Sequence, residues 1–153
     1  QKEPEYQPEY ESVVSGRGME NIYQFLRSKG WGNDSDTVKT IDKIEGIQKL
    51  KAIEENYDKD ETCKKTVDML ISFYARAARN IALVSECYSG LFITGRVTIN
   101  NMQRFMEGKF TEEFLKSNEK TEVLLKIPVY IVTNLDMALY GLCNVAANFY
   151  NLS

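Results

Sequence analysis

Histidine is absent from this chain of 153 residues. Histidine is the usual general base of serine and cysteine hydrolases, and it is the commonest side chain that binds transition metals. Its absence excludes Ser-His and Cys-His catalysis and most transition-metal sites. Any chemistry that the chain performs must therefore use carboxylates, lysine, arginine, hydroxyl groups and the backbone.

Cysteine is scarce, and its three residues lie far apart in the sequence: Cys63, Cys87 and Cys143. They form no Cys-x-x-Cys pair, which argues against a zinc site or a redox pair. An odd number of widely spaced cysteines is typical of a protein in a reducing compartment. We therefore expect a cytoplasmic location.

The chain also has no excess of positive charge and no long apolar run. Its 19 basic and 22 acidic residues give a net charge of −3, which disfavours nucleic acid and anionic membranes as partners. No apolar run approaches the roughly 20 residues of a membrane span. The polar N-terminus, residues 1–4, predicts no signal peptide. A hydrophobic content of 43% in 153 residues is typical of one globular domain over residues 1–153.

Apolar residues at helical spacing predict four main helices, at residues 19–29, 37–54, 60–86 and 137–148. Asp60 is the expected N-cap of the third. Two shorter helices are expected, one over residues 99–106 and one carrying Phe110 and Phe114 with Thr111 as its N-cap. Residues 1–10 are expected to be an exposed lead-in.

Two short apolar segments predict strands, at residues 90–93 and 127–133. Gly90 and Gly95 bound the first segment, and a glycine turn after a strand is where an α/β domain presents its backbone to a ligand. Strands separated by helices pair in parallel, so the predicted fold class is helix-rich α/β with a short parallel sheet. Two strands make a small sheet, and we expect it to be incomplete in this chain.

Three segments of the sequence resemble bacterial-type glucokinases. Residues 11–23 resemble the family segment Glu-x-Val-x-Ser-Gly-x-Gly-x-x-Asn-x-Tyr, and residues 80–95 are similar to the family's adenosine-motif strand with its preceding helix. Residues 105–114, followed by residues 127–132, resemble its closing segment. The order and spacing agree over essentially the whole chain, which would correspond to about the C-terminal half of such a kinase.

The resemblance implies one lobe of the actin-like, ribonuclease H-like fold, in which two lobes close on a sugar and ATP with Mg²⁺. Glu11 would bind the hydroxyls of glucose, since an ionised carboxylate accepts two hydrogen bonds. Residues at the start of a helix would lie beside the nucleotide, where free backbone N–H groups suit phosphate: Ser15, Gly16 and Arg17. The turn that would contact adenosine consists of Thr94, Gly95 and Arg96.

The resemblance assigns no catalytic residue to this chain. The family's aspartate base and phosphate loops belong to an N-terminal lobe, and phosphoryl transfer requires base, metal and phosphate clamps in one closed site. The expected partners are therefore glucose, ATP and the missing N-terminal lobe, with a homodimer as a further option. We expect no phosphorylation of glucose by residues 1–153 alone.

Four positions depart from the family's glycine pattern: Arg79, Glu86, Arg96 and Ala138. A side chain at position 96 blocks a ligand that approaches the backbone, or it pairs with a phosphate. We favour the first interpretation, which predicts weakened ATP binding. These departures also favour a second interpretation, a non-catalytic kinase-fold protein that binds or regulates. A third is an unrelated helical interaction domain, which the two-strand pattern disfavours.

Overall fold

A computed structural model describes residue 7 and residues 9–32 and 34–150. Most of the predicted lead-in, residues 1–10, lies outside the described residues. The first described element is a short 3-10 helix, Tyr10–Ser12. The longer elements, in chain order, are helices α1 (Gly16–Ser28), α2 (Asp36–Asp42), α3 (Gly46–Glu55) and α4 (Glu61–Ser85), strand β1 (Leu91–Thr94), helices α5 (Arg96–Asn100), α6 (Met102–Met106), α7 (Lys109–Leu115) and α8 (Thr121–Leu124), strand β2 (Val129–Val132) and helix α9 (Met137–Tyr150).

Helix α4 is the centre of the core. Asp60 is its N-cap, as predicted, and its carboxylate accepts hydrogen bonds from the backbone N–H groups of Thr62 and Cys63. The helix contacts α1, α3, α7 and α8. Its buried side chains keep a helical period, so one continuous apolar surface faces these neighbours: Cys63, Val67, Leu70, Ile71, Ala75, Ala78 and Ala82.

Strands β1 and β2 pair in parallel, as predicted, with Leu91 opposite Val129. One face of this two-stranded sheet packs against the core through four partly buried aliphatic residues: Leu91, Ile93, Val129 and Ile131. On the other face the rings of Phe92 and Tyr130 stack, with centroids 5.1 Å apart, and both are exposed. A Cβ atom at Gly90 would lie 2.7 Å from the Tyr130 ring, so glycine is required for this approach.

Three predicted helix boundaries are wrong. The predicted helix over residues 37–54 is two helices, because Gly46 has a φ of +61° and ends the continuity between α2 and α3. Gly108, in the left-handed region, precedes α7, so Thr111 lies inside that helix and is not its N-cap. The predicted helix over residues 99–106 is divided into α5 and α6 at Asn101. Helix α8 and the 3-10 helix were not predicted.

Candidate functional site

The start of α1 is held by the hydroxyl of Ser15, the N-cap residue. Its Oγ accepts a hydrogen bond from the N–H of Gly18 at 2.9 Å and donates one to the carbonyl of Glu11 at 2.6 Å. Asn21 donates to the carbonyl of Ser12 at 3.0 Å. The segment that precedes α1 is thereby fixed against the first turns of the helix.

Gly18 permits the chain to fold back on α1. A Cβ atom at Gly18 would lie 2.5 Å from the carbonyl carbon of Val13, a distance that no side chain tolerates. Glycine at position 18 is therefore required by the packing of residues 13–18.

Gly16 brings the two predicted nucleotide turns together. A Cβ atom there would lie 3.0 Å from Cδ1 of Leu50 on α3 and 3.9 Å from Cγ2 of Val97 on α5. The N-terminus of α1 is therefore packed beside the turn that follows β1. Two segments that are about eighty residues apart in the sequence meet at one place, at the carboxyl end of a parallel strand.

The turn after β1 consists of Thr94, Gly95 and Arg96. Gly95 has a φ of +126° and a ψ of 160°, a conformation that side chains rarely adopt, and nothing lies within 4 Å of a Cβ atom placed there. Thr94 and Arg96 are exposed on either side of it. The backbone of the turn is accessible at Gly95, with the Arg96 side chain next to it.

A polar cluster that the sequence did not predict fixes α5 against α3. The carboxylate of Glu54 accepts hydrogen bonds from Asn101 at 2.8 Å and from Asn100 at 3.2 Å. Asn101 is buried, and its amide also donates to the carbonyl of Val97 at 2.9 Å. Asn101 therefore links the Val97 carbonyl to Glu54 on α3, the helix that also carries Leu50. No local signal marks this pairing, because its partners are 47 residues apart.

The charged side chains around the two turns are available to a ligand. Glu11, Arg17 and Arg96 are exposed, and no side-chain hydrogen bond or ion pair of theirs occurs within residues 9–32 and 34–150. The backbone N–H groups of Gly16 and Arg17 are likewise without an acceptor in those ranges. Free N–H groups at the start of the 13-residue helix α1, with Arg17 in its first turn and Arg96 at the start of α5, favour an anionic ligand.

Two departures from the glycine pattern have structural explanations. Arg79 donates to the carbonyl of Glu113 at 3.2 Å and to that of Lys116 at 2.5 Å, so it caps the end of α7. A hydrogen bond from Arg76 is the main reason that the pKa of Glu113 lies below its usual value. Glu86 ends α4 with φ 46° and ψ 45°, the left-handed conformation that glycine adopts most easily.

A cavity of about 650 Å³ lies elsewhere, between the inner face of the sheet and helices α6 to α8. Its lining is mainly apolar, with Met102, Phe105 and Phe114 among its walls, and it contains none of the predicted site residues. No group of three or more Cys, Asp or Glu residues suited to a metal occurs among the residues that the structure describes. No described helix is long and apolar enough to cross a membrane.

A helix-rich α/β chain with a glycine turn after a parallel strand, next to a helix N-terminus, is typical of nucleotide-binding proteins. The comparisons with known proteins define the class further. The Glucokinase family model matches residues 6–149. This chain is 29% identical over 148 residues to a glucokinase of Nostoc punctiforme, and 28% identical over 152 residues to one of Nostoc sp.. Each match covers 90% of this chain and 43% of the relative.

A solved structure agrees with these matches. The crystal structure of glucokinase from an Antarctic psychrotroph superposes with a TM-score of 0.66 at 25% identity, over 92% of this chain and 40% of that one. The chain belongs to the Glucokinase family. It spans less than half the length of the relatives that it matches.

Proposed function

We propose that this chain is the C-terminal lobe portion of an ATP-dependent hexokinase that phosphorylates glucose at its 6-hydroxyl. The observation that carries the proposal is the close approach of the two turns, since a Cβ atom placed on Gly16 of α1 would lie 3.9 Å from Cγ2 of Val97 on α5. Such an arrangement offers one ligand both a helix N-terminus and a strand-end turn. The proposal also assigns residues 1–153 to a single domain with the actin-like fold.

In this proposal the residues divide between two ligands. The Glu11 carboxylate accepts hydrogen bonds from glucose hydroxyls and so orients the sugar. Ser15, Gly16 and Arg17 receive phosphate, and the turn of Thr94, Gly95 and Arg96 lies against adenosine. Bound ATP supplies the phosphoryl group. The chain's own residues bind and orient, and the part of the kinase absent from this chain supplies the base.

The residues present fit ATP better than Mg²⁺. Free N–H groups and the Arg17 guanidinium suit phosphate, whereas Mg²⁺ prefers carboxylate oxygens, and Glu11 is the carboxylate of the predicted site. We assign no metal ligand to this chain, and no step of the proposal depends on one.

A second candidate is a non-catalytic kinase-fold protein that binds or regulates. Arg96 favours it, because a long side chain next to the open backbone at Gly95 obstructs close approach of a base and ribose. In this case the family fold is retained and nucleotide affinity is low.

A titration of ATP followed by backbone amide chemical shifts tests the proposal. We expect shift changes confined to residues 15–18 and 94–97, and at least tenfold weaker binding in Arg17→Glu, because that change puts a negative charge beside the phosphates. Lys59→Glu is the matched control, since Lys59 is exposed and distant in sequence from both turns. Shift changes elsewhere, or equal affinities of the two variants, contradict the assignment. The absence of ATP binding favours the second candidate.

A further inference from the structure

The side chain of Asn101 links the end of α5 to α3. Asn101 is 1% exposed, so its amide group is buried. The amide nitrogen donates to a carboxylate oxygen of Glu54 at 2.8 Å and to the carbonyl of Val97 at 2.9 Å. The amide oxygen accepts a hydrogen bond from Arg104 at 3.3 Å. Both N–H groups and the oxygen of this amide therefore have partners, and we call Asn101 and Glu54 the α5 clamp.

The α5 clamp acts on the turn after β1 through Val97. The Val97 carbonyl accepts two hydrogen bonds from Asn101, one from the side chain and one from the backbone N–H at 3.2 Å. Val97 lies two residues after Gly95, whose backbone is open. Helix α5 has five residues, and a helix of that length is not stable by itself. The orientation of the turn therefore depends on the contacts that hold α5 from outside.

Helix α3 provides the support for this contact. Glu54 lies four residues after Leu50, so the two side chains share one face of α3. Leu50 is the residue that a Cβ atom on Gly16 would approach to 3.0 Å. Since α3 also contacts α1 and α4, its own position does not depend on the clamp. Loss of the clamp should therefore release α5 and leave the start of α1 in place.

A buried amide at position 101 is not needed to fill space. Replacing both members of a buried polar pair by apolar groups of the same shape is often close to neutral for stability. A fully paired buried network instead selects one arrangement of the elements that it joins. Arg104 adds to this network, because its guanidinium donates to the Glu54 carbonyl at 3.4 Å and lies 4.2 Å from the centroid of the Tyr57 ring. These contacts favour a role in orientation.

We infer that Asn101 and Glu54 are positioning residues for the nucleotide, because they hold the turn of residues 94–97 where it receives the adenosine part of ATP. The inference rests on the proposed function and deepens it, since it adds residues that support the proposed contact residues from behind. The clamp holds the adenosine turn and not the start of α1. Its loss should therefore weaken the binding of ATP and leave the binding of a ligand with phosphates alone unchanged.

Calorimetric titrations of ATP and of inorganic tripolyphosphate into the 153-residue chain test the inference. Glu54→Ala removes the carboxylate, and Glu55→Ala is the matched control, since it makes the same change at an exposed position on the same helix. We expect ATP binding to be about tenfold weaker in Glu54→Ala than in Glu55→Ala, because a hydrogen bond to a charged group is lost. Tripolyphosphate affinity should differ by less than about twofold between the two variants.

Two further variants separate the hydrogen bonds from side-chain volume and charge. Asn101→Leu keeps the volume and removes both donors, so we expect the same selective loss of ATP affinity. Glu54→Gln loses the charge but retains an oxygen that accepts from Asn101. We expect this conservative change to keep ATP affinity within about threefold of the parent, which a role of the charge alone would not allow.

Amide hydrogen exchange shows whether the turn itself has loosened. The N–H of Ile99 donates to the Gly95 carbonyl at 3.1 Å, so its exchange rate reports on the turn. We expect Ile99 to exchange about tenfold faster in Glu54→Ala and Asn101→Leu than in Glu55→Ala. The amides of α4 should exchange at unchanged rates, which separates loosening of the turn from loss of the fold.

Three results overturn the inference. They are equal ATP affinities of Glu54→Ala and Glu55→Ala, equal losses of ATP and tripolyphosphate affinity in Glu54→Ala, and unchanged exchange of Ile99. If Asn101→Leu does not fold, Glu54→Ala decides, because its side chain is only partly buried. A parent chain that binds no ATP rejects the proposed function. Faster Ile99 exchange in Glu54→Ala then leaves the clamp standing, and unchanged exchange overturns it as well.

Discussion

Glu86 has a backbone conformation that is unfavourable for a residue with a side chain. It is the one non-glycine residue with positive φ among the residues that the structure describes, and it ends α4. The left-handed conformation costs an L-residue about 1–2 kcal/mol, of which the added chain entropy of glycine offsets part. We expect Glu86→Gly to raise the free energy of unfolding by about 0.5–1 kcal/mol, measured by urea denaturation.

Glu107 provides the control for this prediction. It is the C-cap of α6 and has a φ of −72°, which any residue adopts. Glycine there increases only the freedom of the unfolded chain, so we expect Glu107→Gly to be neutral or destabilising. A gain in stability at position 107 that matches the gain at position 86 contradicts the conformational explanation.

Arg96 has two possible effects on ATP binding, obstruction of the nucleotide and pairing with a phosphate. Its side chain is exposed at the first position of α5, directly after the open backbone of Gly95. If it obstructs the nucleotide, Arg96→Gly strengthens ATP binding, and this is the outcome that we expect. We would measure ATP affinity at two salt concentrations for the parent, Arg96→Gly and Arg96→Lys. Weaker binding in Arg96→Gly with a clear salt dependence indicates that Arg96 pairs with phosphate instead.

Among the elements, α4 begins at a carboxylate N-cap, Asp60, whose pKa is lowered from its ordinary value. Burial acts to raise the pKa of Asp60, but hydrogen bonds from the Cys63 N–H and the Ser35 hydroxyl outweigh it and lower that pKa overall. The folded pKa therefore lies below the unfolded one. The carboxylate contributes stability above its unfolded pKa, and this contribution is lost as the pH falls through the folded value.

We expect Asp60→Ala to lower the free energy of unfolding by about 1–2 kcal/mol at pH 7, as for other N-caps. The difference from the parent should shrink as the pH falls below about 4, where aspartate in the unfolded chain becomes protonated. Denaturation at a series of pH values measures both effects. Asp58→Ala, at an exposed position, is the control and should lie within about 0.5 kcal/mol of the parent. A pH-independent loss in Asp60→Ala contradicts the charged cap.

Much of this element structure could be predicted from the sequence, because its determinants are local. Asp60 caps the helix that the apolar period predicts, and the two strands lie in parallel as their separation by helices requires. The division at Gly46 was missed because the apolar spacing continues across it, while the backbone there turns to positive φ. Thr111 is not the cap because Gly108, three residues earlier, occupies the N-cap position of α7.

The candidate site was predicted in part. The resemblance over short segments predicted its two turns. The close approach of Gly16 to Val97 was not predicted, because it depends on packing against Leu50, which is distant in the sequence. The pairing of Glu54 with Asn101 could not be predicted either, because single polar residues 47 positions apart give no sign that they are in contact. The roles of the predicted site residues toward sugar and nucleotide remain predictions.

For the whole molecule, the packed core around α4 contrasts with the uncovered helix α9. Every helix that contacts α4 buries an apolar face, whereas α9 leaves Leu142, Val145 and Phe149 exposed to water. Exposed apolar patches of this kind mark interaction surfaces. The relatives are more than twice as long as their match to this chain.

The final prediction concerns activity. In the proposed function, residues 1–153 contact phosphate and sugar, and the base belongs to the part of the kinase that this chain lacks. The 153-residue chain should therefore not form ADP from ATP in a glucose-dependent manner. The measurement is a coupled ADP assay on the purified chain, with Arg17→Glu prepared in parallel. A contaminating host kinase gives ADP at the same rate in both preparations. A turnover of about one per second is ordinary for an enzyme. If the chain shows such a turnover and Arg17→Glu abolishes it, this chain assembles a complete active site, and the proposal that the missing part supplies the base is wrong.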